Sequence, residues 1–162
     1  MASRLTLRAT GKALDTVELV NAKVMREIGA GLVSRIRART QRGIDSAGRP
    51  FRPLSPRYAS AKREALGHAR ADLTVSGRML NDMIVSPRRN EVTISFSSGG
   101  SMRASGRTLI QRSRSVGAAD KAYWHNVSGA GKRRVVRAFF DFDNSDEEFA
   151  QSVLDSWIRE QL

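Results

Sequence analysis

Between residues 17 and 36 the apolar side chains Val17, Val20, Val24, Ile28, Leu32 and Ile36 recur at steps of three and four. In a helix of about 3.6 residues per turn that spacing stacks them on one face, so the stretch is predicted as a long amphipathic helix with a core-facing stripe. Asp15 followed by Glu18 matches a capping box with Asp in place of the usual Ser or Thr, and the helix is predicted to run from there to about Gln41. At about 1.5 Å per residue it would reach roughly 40 Å, enough to cross a small domain and to constrain how every other element packs.

The remaining elements are read around that rod. Ahead of it, Leu5, Leu7 and Ala9 alternate with Arg4, Thr6, Arg8 and Thr10, the period of a half-buried strand. After it, Gly43 to Pro53 is rich in turn residues, and Ser55-Pro56 supplies an N-cap and a first-turn proline for a second helix ending near Gly67. A third short helix follows Ser76, carrying Met79, Leu80 and Met83. A hairpin comes next: Met83 to Ser86, a turn over Pro87-Arg88-Arg89-Asn90, then Glu91 to Phe96 with Val92, Ile94 and Phe96 on one face. Residues 97–121 carry Ser, Gly and Arg with few apolar anchors and read as a long, flexible, cationic loop, Thr108-Leu109-Ile110 being its single candidate strand. Ala122-Tyr123-Trp124-His125 suggests a helical turn and Gly129-Ala130-Gly131 a joint. Val135 to Phe142 suggests a strand with Val136, Ala138, Phe140 and Phe142 on one face. Ser145 with Glu148 forms a second capping box, opening a C-terminal helix with Phe149, Val153 and Trp157 on its apolar stripe. The expected architecture is α+β. A long N-terminal helix and a C-terminal helix pack on a small, mainly antiparallel sheet, in one domain over residues 1–162.

Charge narrows the function. The chain's 28 Lys+Arg against 16 Asp+Glu give a formal charge of +12, which implies a polyanionic neighbour or an acidic protein surface that neutralises it. Nearly all of the cations are Arg, whose rigid fork of donors suits phosphates and carboxylates alike. The chain has no Cys, which excludes disulfides, thiol catalysis and Cys-based zinc sites. No apolar run approaches the roughly 18–20 residues that span a bilayer, and the first residues lack the apolar block of a signal peptide, so a soluble protein retained in the cell that makes it is expected.

No catalytic constellation is visible. His68 and His125 are too few and too isolated for a metal cluster, and His125 beside Trp124 reads as a packing or hydrogen-bonding residue. Gly131-Lys132 lacks both the following Ser/Thr and the upstream Gly of a phosphate-binding loop. Asn126-Val127-Ser128 matches a glycosylation acceptor, which has no meaning without secretion. Asp141 and Asp143, two apart on the expected strand, could hold Mg²⁺ in a nuclease, against the simpler reading that they solvate the start of the last helix. No catalytic, cofactor or metal site is therefore expected. The basic residues Arg103, Arg107, Arg112 and Arg114, with Lys132, Arg133, Arg134 and Arg137, could track DNA phosphates or meet a neighbouring subunit. Aromatic residues that would stack single strands are missing from the loop. A basic nucleic-acid-binding protein contacting duplex phosphates is the alternative function.

Several segments, taken in order, resemble the phage virion morphogenesis and tail-completion family, related in layout to head–tail joining proteins. They are Gly48-Arg49-Pro50-Phe51-Arg52-Pro53-Leu54-Ser55-Pro56 after the long helix, with Tyr58 and Lys62 following; Leu73-Thr74-Val75-Ser76-Gly77-Arg78-Met79-Leu80-Asn81-Asp82; Ala122-Tyr123-Trp124-His125 with the family's glycine displaced to Gly129; and Arg137-Ala138-Phe139-Phe140-Asp141 before the C-terminal helix. The resemblance spans about residues 13–160. It implies a non-catalytic virion protein of the neck or tail, assembled in the bacterial host cytoplasm. Its subunits would form a homo-oligomeric ring of six or twelve copies between portal-side adaptor proteins and the tail terminator or tail tube, with possible non-specific contact to packaged DNA and none to membrane. It further implies that the motif residues pack. Phe51, Pro53 and Leu54 would brace the loop against the long helix, Gly77 would permit close helix approach, and Arg137, Phe139 and Phe140 would lock the C-terminal strand onto the sheet.

Overall fold

A computed structural model describes residues 3–6, 20–74, 76–89, 91–96 and 117–161. The elements in order are β1 (Ser3–Thr6), α1 (Ala22–Gln41), α2 (Pro56–Leu66), α3 (Arg78–Asn81), β2 (Met83–Pro87), β3 (Glu91–Phe96), α4 (Ala118–Tyr123), a π-helical turn over Trp124–Ser128, and α5 (Asn144–Gln161). The fold is α+β, with an all-antiparallel sheet in the order β1-β3-β2. In β3 the period-two pattern puts Val92, Ile94 and Phe96 in the core, and its register sets Ile94 opposite Val85 and Val92 opposite Leu5.

The apolar stripe from Val24 to Ile36 is helical and buried, but α1 starts later than its sequence suggests. Asn21 is extended (φ −138°, ψ 175°), and its Oδ1 accepts from the Lys23 and Val24 amides at 2.8 and 3.3 Å, so Asn21 is the N-cap. The expected Asp15–Glu18 box lies outside the described residues, and no continuous helix from Asp15 can pass through Asn21. The helix is 20 residues, or about 30 Å.

Two glycines in mid-helix explain how α1 is sandwiched. A β-carbon on Gly29 would overlap the Val85 side chain and lie 2.7 Å from Val92 Cγ2; one on Gly31 would strike the Phe149 ring. The sheet therefore closes against one side of α1 and α5 against another, giving the layer order sheet, α1, α5. The C-terminal helix thus packs on the long helix, where the sequence suggested that both lie on the sheet. Lys23 Nζ sits 5.0 Å above the Trp157 ring, and the Arg35 guanidinium 5.3 Å above Phe149, adding cation–π contacts along the α1–α5 seam.

The segment 135–142 differs from its expected strand. Only Val135 makes a bridge, to Ala130, while Val136 is exposed and the consecutive Phe139 and Phe140 are both buried. Other partners satisfy the backbone. The Arg137 amide donates to the His125 carbonyl (2.6 Å) and the Ser46 amide to the Ala138 carbonyl (2.8 Å). The Asn126 carboxamide clamps Phe140, accepting from its amide at 2.8 Å and donating to its carbonyl at 3.3 Å. With strand geometry no longer needed, Phe139 and Phe140 can both turn inward against Phe96, ring centroids 6.4 and 4.9 Å away.

The last helix is also capped two residues earlier than expected. Asp143 Oδ1 accepts from the Asp146 amide (2.9 Å), and Asp146 Oδ2 accepts from the Asp143 amide (3.2 Å), a reciprocal box that replaces the predicted Ser145–Glu148 pair. Most of the long basic loop, residues 97–116, lies outside the described residues, Thr108 to Ile110 included. The last residues of the expected loop are helical: Ala118 opens α4, which buries Ala118 and Ala122 and packs on α3 and β3.

Candidate functional site

α2 has an unusual foothold. Its one buried side chain is Lys62, while Tyr58 and Leu66 are exposed. Lys62 Nζ donates to the Arg70 carbonyl at 2.7 Å and forms a short ion pair with Asp72, both side chains being almost fully shielded from solvent. Burial on its own would raise the Asp72 carboxyl, but hydrogen bonds from Lys62 and Thr74, with the Lys62 charge, outweigh it and hold the group below its ordinary range.

Between α2 and the body opens a cleft of about 820 Å³, within the roughly 300–1,000 Å³ typical of ligand sites. It gathers residues from every segment that carries the family resemblance. Arg52, Pro53, Leu54 and Tyr58 come from the first, Leu73, Ser76 and Met79 from the second, and His125 and Arg137 from the last two. Lys121 and the exposed turn bearing Lys132 and Arg133 complete the lining. Among the described lining residues Asp72 is the single acid, and Lys62 already neutralises it. Leu73 holds φ at +56°, a left-handed conformation costly for a branched side chain; Arg134, on the turn beside the cleft, holds +45°.

Arg137 is the notable group here. It is only 8% exposed, its Nη2 donates to the Arg52 carbonyl at 3.0 Å, and its Nε has no partner. No carboxylate among the described residues pairs with it. Burial first, then the nearby Arg52 charge, lowers its pKa, partly opposed by Tyr58. His125 Nδ1 is likewise buried without a partner. Burial, and then the Arg137 charge, pushes His125 down to about 4, so its ring is neutral at pH 7.

These placements revise several expected roles. Phe51 is buried in the core, Pro53 is exposed and Leu54 half-buried, and the last two form cleft wall. Gly77 does not serve close helix packing. It precedes α3 at φ +66°, where its left-handed backbone is the reason for glycine. Arg137 anchors no strand; it underlies the cleft. Arg103, Arg107, Arg112 and Arg114 lie outside the described residues. Lys132 and Arg133 reach the cleft, while Arg134 is exposed on the same turn and is not part of its lining.

A second ionic cluster joins α1 to α5. Arg39 Nη1 donates to Asp143 Oδ2 (2.6 Å) and Asp146 Oδ2 (2.8 Å), and its Nη2 to the Asp141 carbonyl (2.6 Å); Arg35 Nε reaches Asp146 Oδ1 at 2.7 Å. Burial would raise the Asp143 carboxyl, but hydrogen bonds from Ser145 and the Asp146 amide, with the Arg39 charge, lower it. Asp143 is thus occupied as helix cap and Arg39 partner, while Asp141 is exposed and contributes its carbonyl, so the two carboxylates do not converge on a common point. Among the described residues no group of three or more His, Asp or Glu comes together as a metal site, and no helix is long and apolar enough to cross a membrane. Comparison of the chain with family models, curated proteins and solved structures gives no match.

Proposed function

We propose that this chain is a structural virion protein of a tailed bacteriophage, a tail-completion or head–tail connector subunit of the neck, with no reaction to catalyse. The observation that carries the reading is the convergence just described. Four segments that resemble the family, scattered from Gly48 to Asp141, meet around one cleft and its supporting core. Their described residues have wall, cap and packing roles, which suit an assembly protein.

In this proposal subunits close into a ring in the neck, between portal-side adaptors and the tail terminator or tube, after synthesis in the host cytoplasm. The test is particle composition. Quantitative mass spectrometry of purified virions should find the chain at six or twelve copies per particle, and disrupting its gene should leave filled heads and free tails unjoined. Its absence from mature particles refutes the proposal. The exposed Lys132-Arg133-Arg134 turn favours duplex DNA contact as a second reading. In that case the free chain binds duplex with a steep loss of affinity as salt rises.

A further inference from the structure

We propose that the cleft between α2 and the body is the docking site for an extended acidic segment of a partner protein, with carboxylates at the basic rim and apolar side chains on the Pro53–Leu54–Met79 wall. Charge complementarity is the main argument. Lys121, Lys132, Arg133, Arg52 and Arg137 all line the cleft, and the one carboxylate among the described lining residues is already paired with Lys62. A guanidinium as shielded as that of Arg137, held by a single carbonyl, is a charge that no carboxylate among the described residues compensates. Burying a cation in that way is costly unless an anion completes the site. The left-handed Leu73 in the same wall is strain of the kind that persists where a ligand is clamped.

The walls argue for peptide over nucleic acid. Proline, leucine and methionine give an apolar lining, and among the described lining residues Tyr58 and His125 alone carry aromatic rings, whereas single strands need successive stacking platforms. A duplex would meet the exposed Lys132–Arg134 turn and leave the recess unfilled. Carboxylates, in contrast, match the planar donor fork of Arg, and apolar neighbours in an extended segment can fill the wall between them. The cleft has this chemistry whether or not the chain serves in a virion, and peptide binding is read independently of particle composition.

The test displays a random short-peptide library to the full-length chain. Enriched sequences are expected to carry Asp or Glu beside apolar residues. A fluorescein-labelled peptide of that class should lose at least about tenfold in affinity, about 1.4 kcal/mol, in the Lys132→Glu/Arg133→Glu protein. Both changes fall on an exposed turn and leave the core intact. Leu54→Glu should weaken binding as well, and Arg159→Glu on the exposed side of α5 should not. Enrichment of peptides without acidic residues, equal affinity for the charge-reversed protein, or displacement of the peptide by an equimolar duplex oligonucleotide overturns the proposal.

Discussion

Replacing Gly29 with Ala should destabilise this protein, against the ordinary rule for helix interiors. In an exposed mid-helix position the change from Gly to Ala is favourable by roughly 1 kcal/mol, because Ala loses less backbone freedom on folding. At Gly29 the new methyl overlaps the Val85 side chain and comes within 2.7 Å of Val92 Cγ2. Both valines are β-branched and stand in paired strands, so neither can rotate away cheaply, and Val92 is fully buried. Overpacking of this kind costs typically ~1–3 kcal/mol, and two clashing partners place it toward the upper end. Subtracting the propensity gain leaves a net loss of about 2 kcal/mol. Urea unfolding followed by far-ultraviolet circular dichroism measures this directly, with Ala30→Gly, at an exposed position one residue along, as the propensity control. If Gly29→Ala raises the unfolding midpoint, the sheet does not approach α1 as closely as described, and the layered packing is wrong.

Arg39→Ala removes the cation shared by Asp143 and Asp146 and should cost about 3 kcal/mol, less than the extreme for a broken buried pair because Arg35 still reaches Asp146; a loss under about 0.5 kcal/mol in urea unfolding contradicts this. Asn126→Ala leaves the Phe140 amide and carbonyl without their clamp and should cost about 1–3 kcal/mol, read as a drop in melting temperature that Asn126→Asp only partly restores. Acid should act in two stages. His125 titrates at about 4 when folded but near 6.5 when free, so between those values the unfolded chain binds the extra proton and stability falls with pH, by an amount on the order of 2 kcal/mol after allowance for partial exposure. Asp72 and Asp143, both held below their ordinary range, keep their contribution above about pH 4 and lose it only in stronger acid. A melting temperature that stays level from pH 6.5 to 4, or that declines equally in His125→Gln, rules out the first stage.

The parts of this fold legible in the sequence are those set by local repetition. The four-residue steps from Val24 to Ile36 and the alternation of Val92, Ile94 and Phe96 each encode a face, and each face is buried as read. What misled is competition between equivalent local signals. Asp15 and Asn21 can both open a helix, as can Asp143 and Ser145, and the choice at the second pair is reinforced by Arg39, 104 residues away. The segment 135–142 alternates on paper, yet Asn126 and Ser46 supply its backbone partners from elsewhere in the chain, freeing two adjacent phenylalanines to turn the same way. The cleft was the least visible. Its motif segments could be picked out singly, but Lys62 looks like any surface lysine of an amphipathic helix until the fold sets Asp72 against it.

The position of α1 as the middle layer has a consequence for how the chain is made. Arg35 and its partner Asp146 are 111 residues apart. At a translation rate of about 5–20 residues per second, the ribosome needs roughly 6–22 s to deliver the second after the first. Throughout that interval the flank of α1 destined for α5 stands uncovered, its Arg35 and Arg39 without their carboxylates, in a nascent polypeptide tethered among many copies of itself on one message. Productive folding must therefore wait for late translation, and slowing elongation near the codons for α5 should drive the product into inclusion bodies.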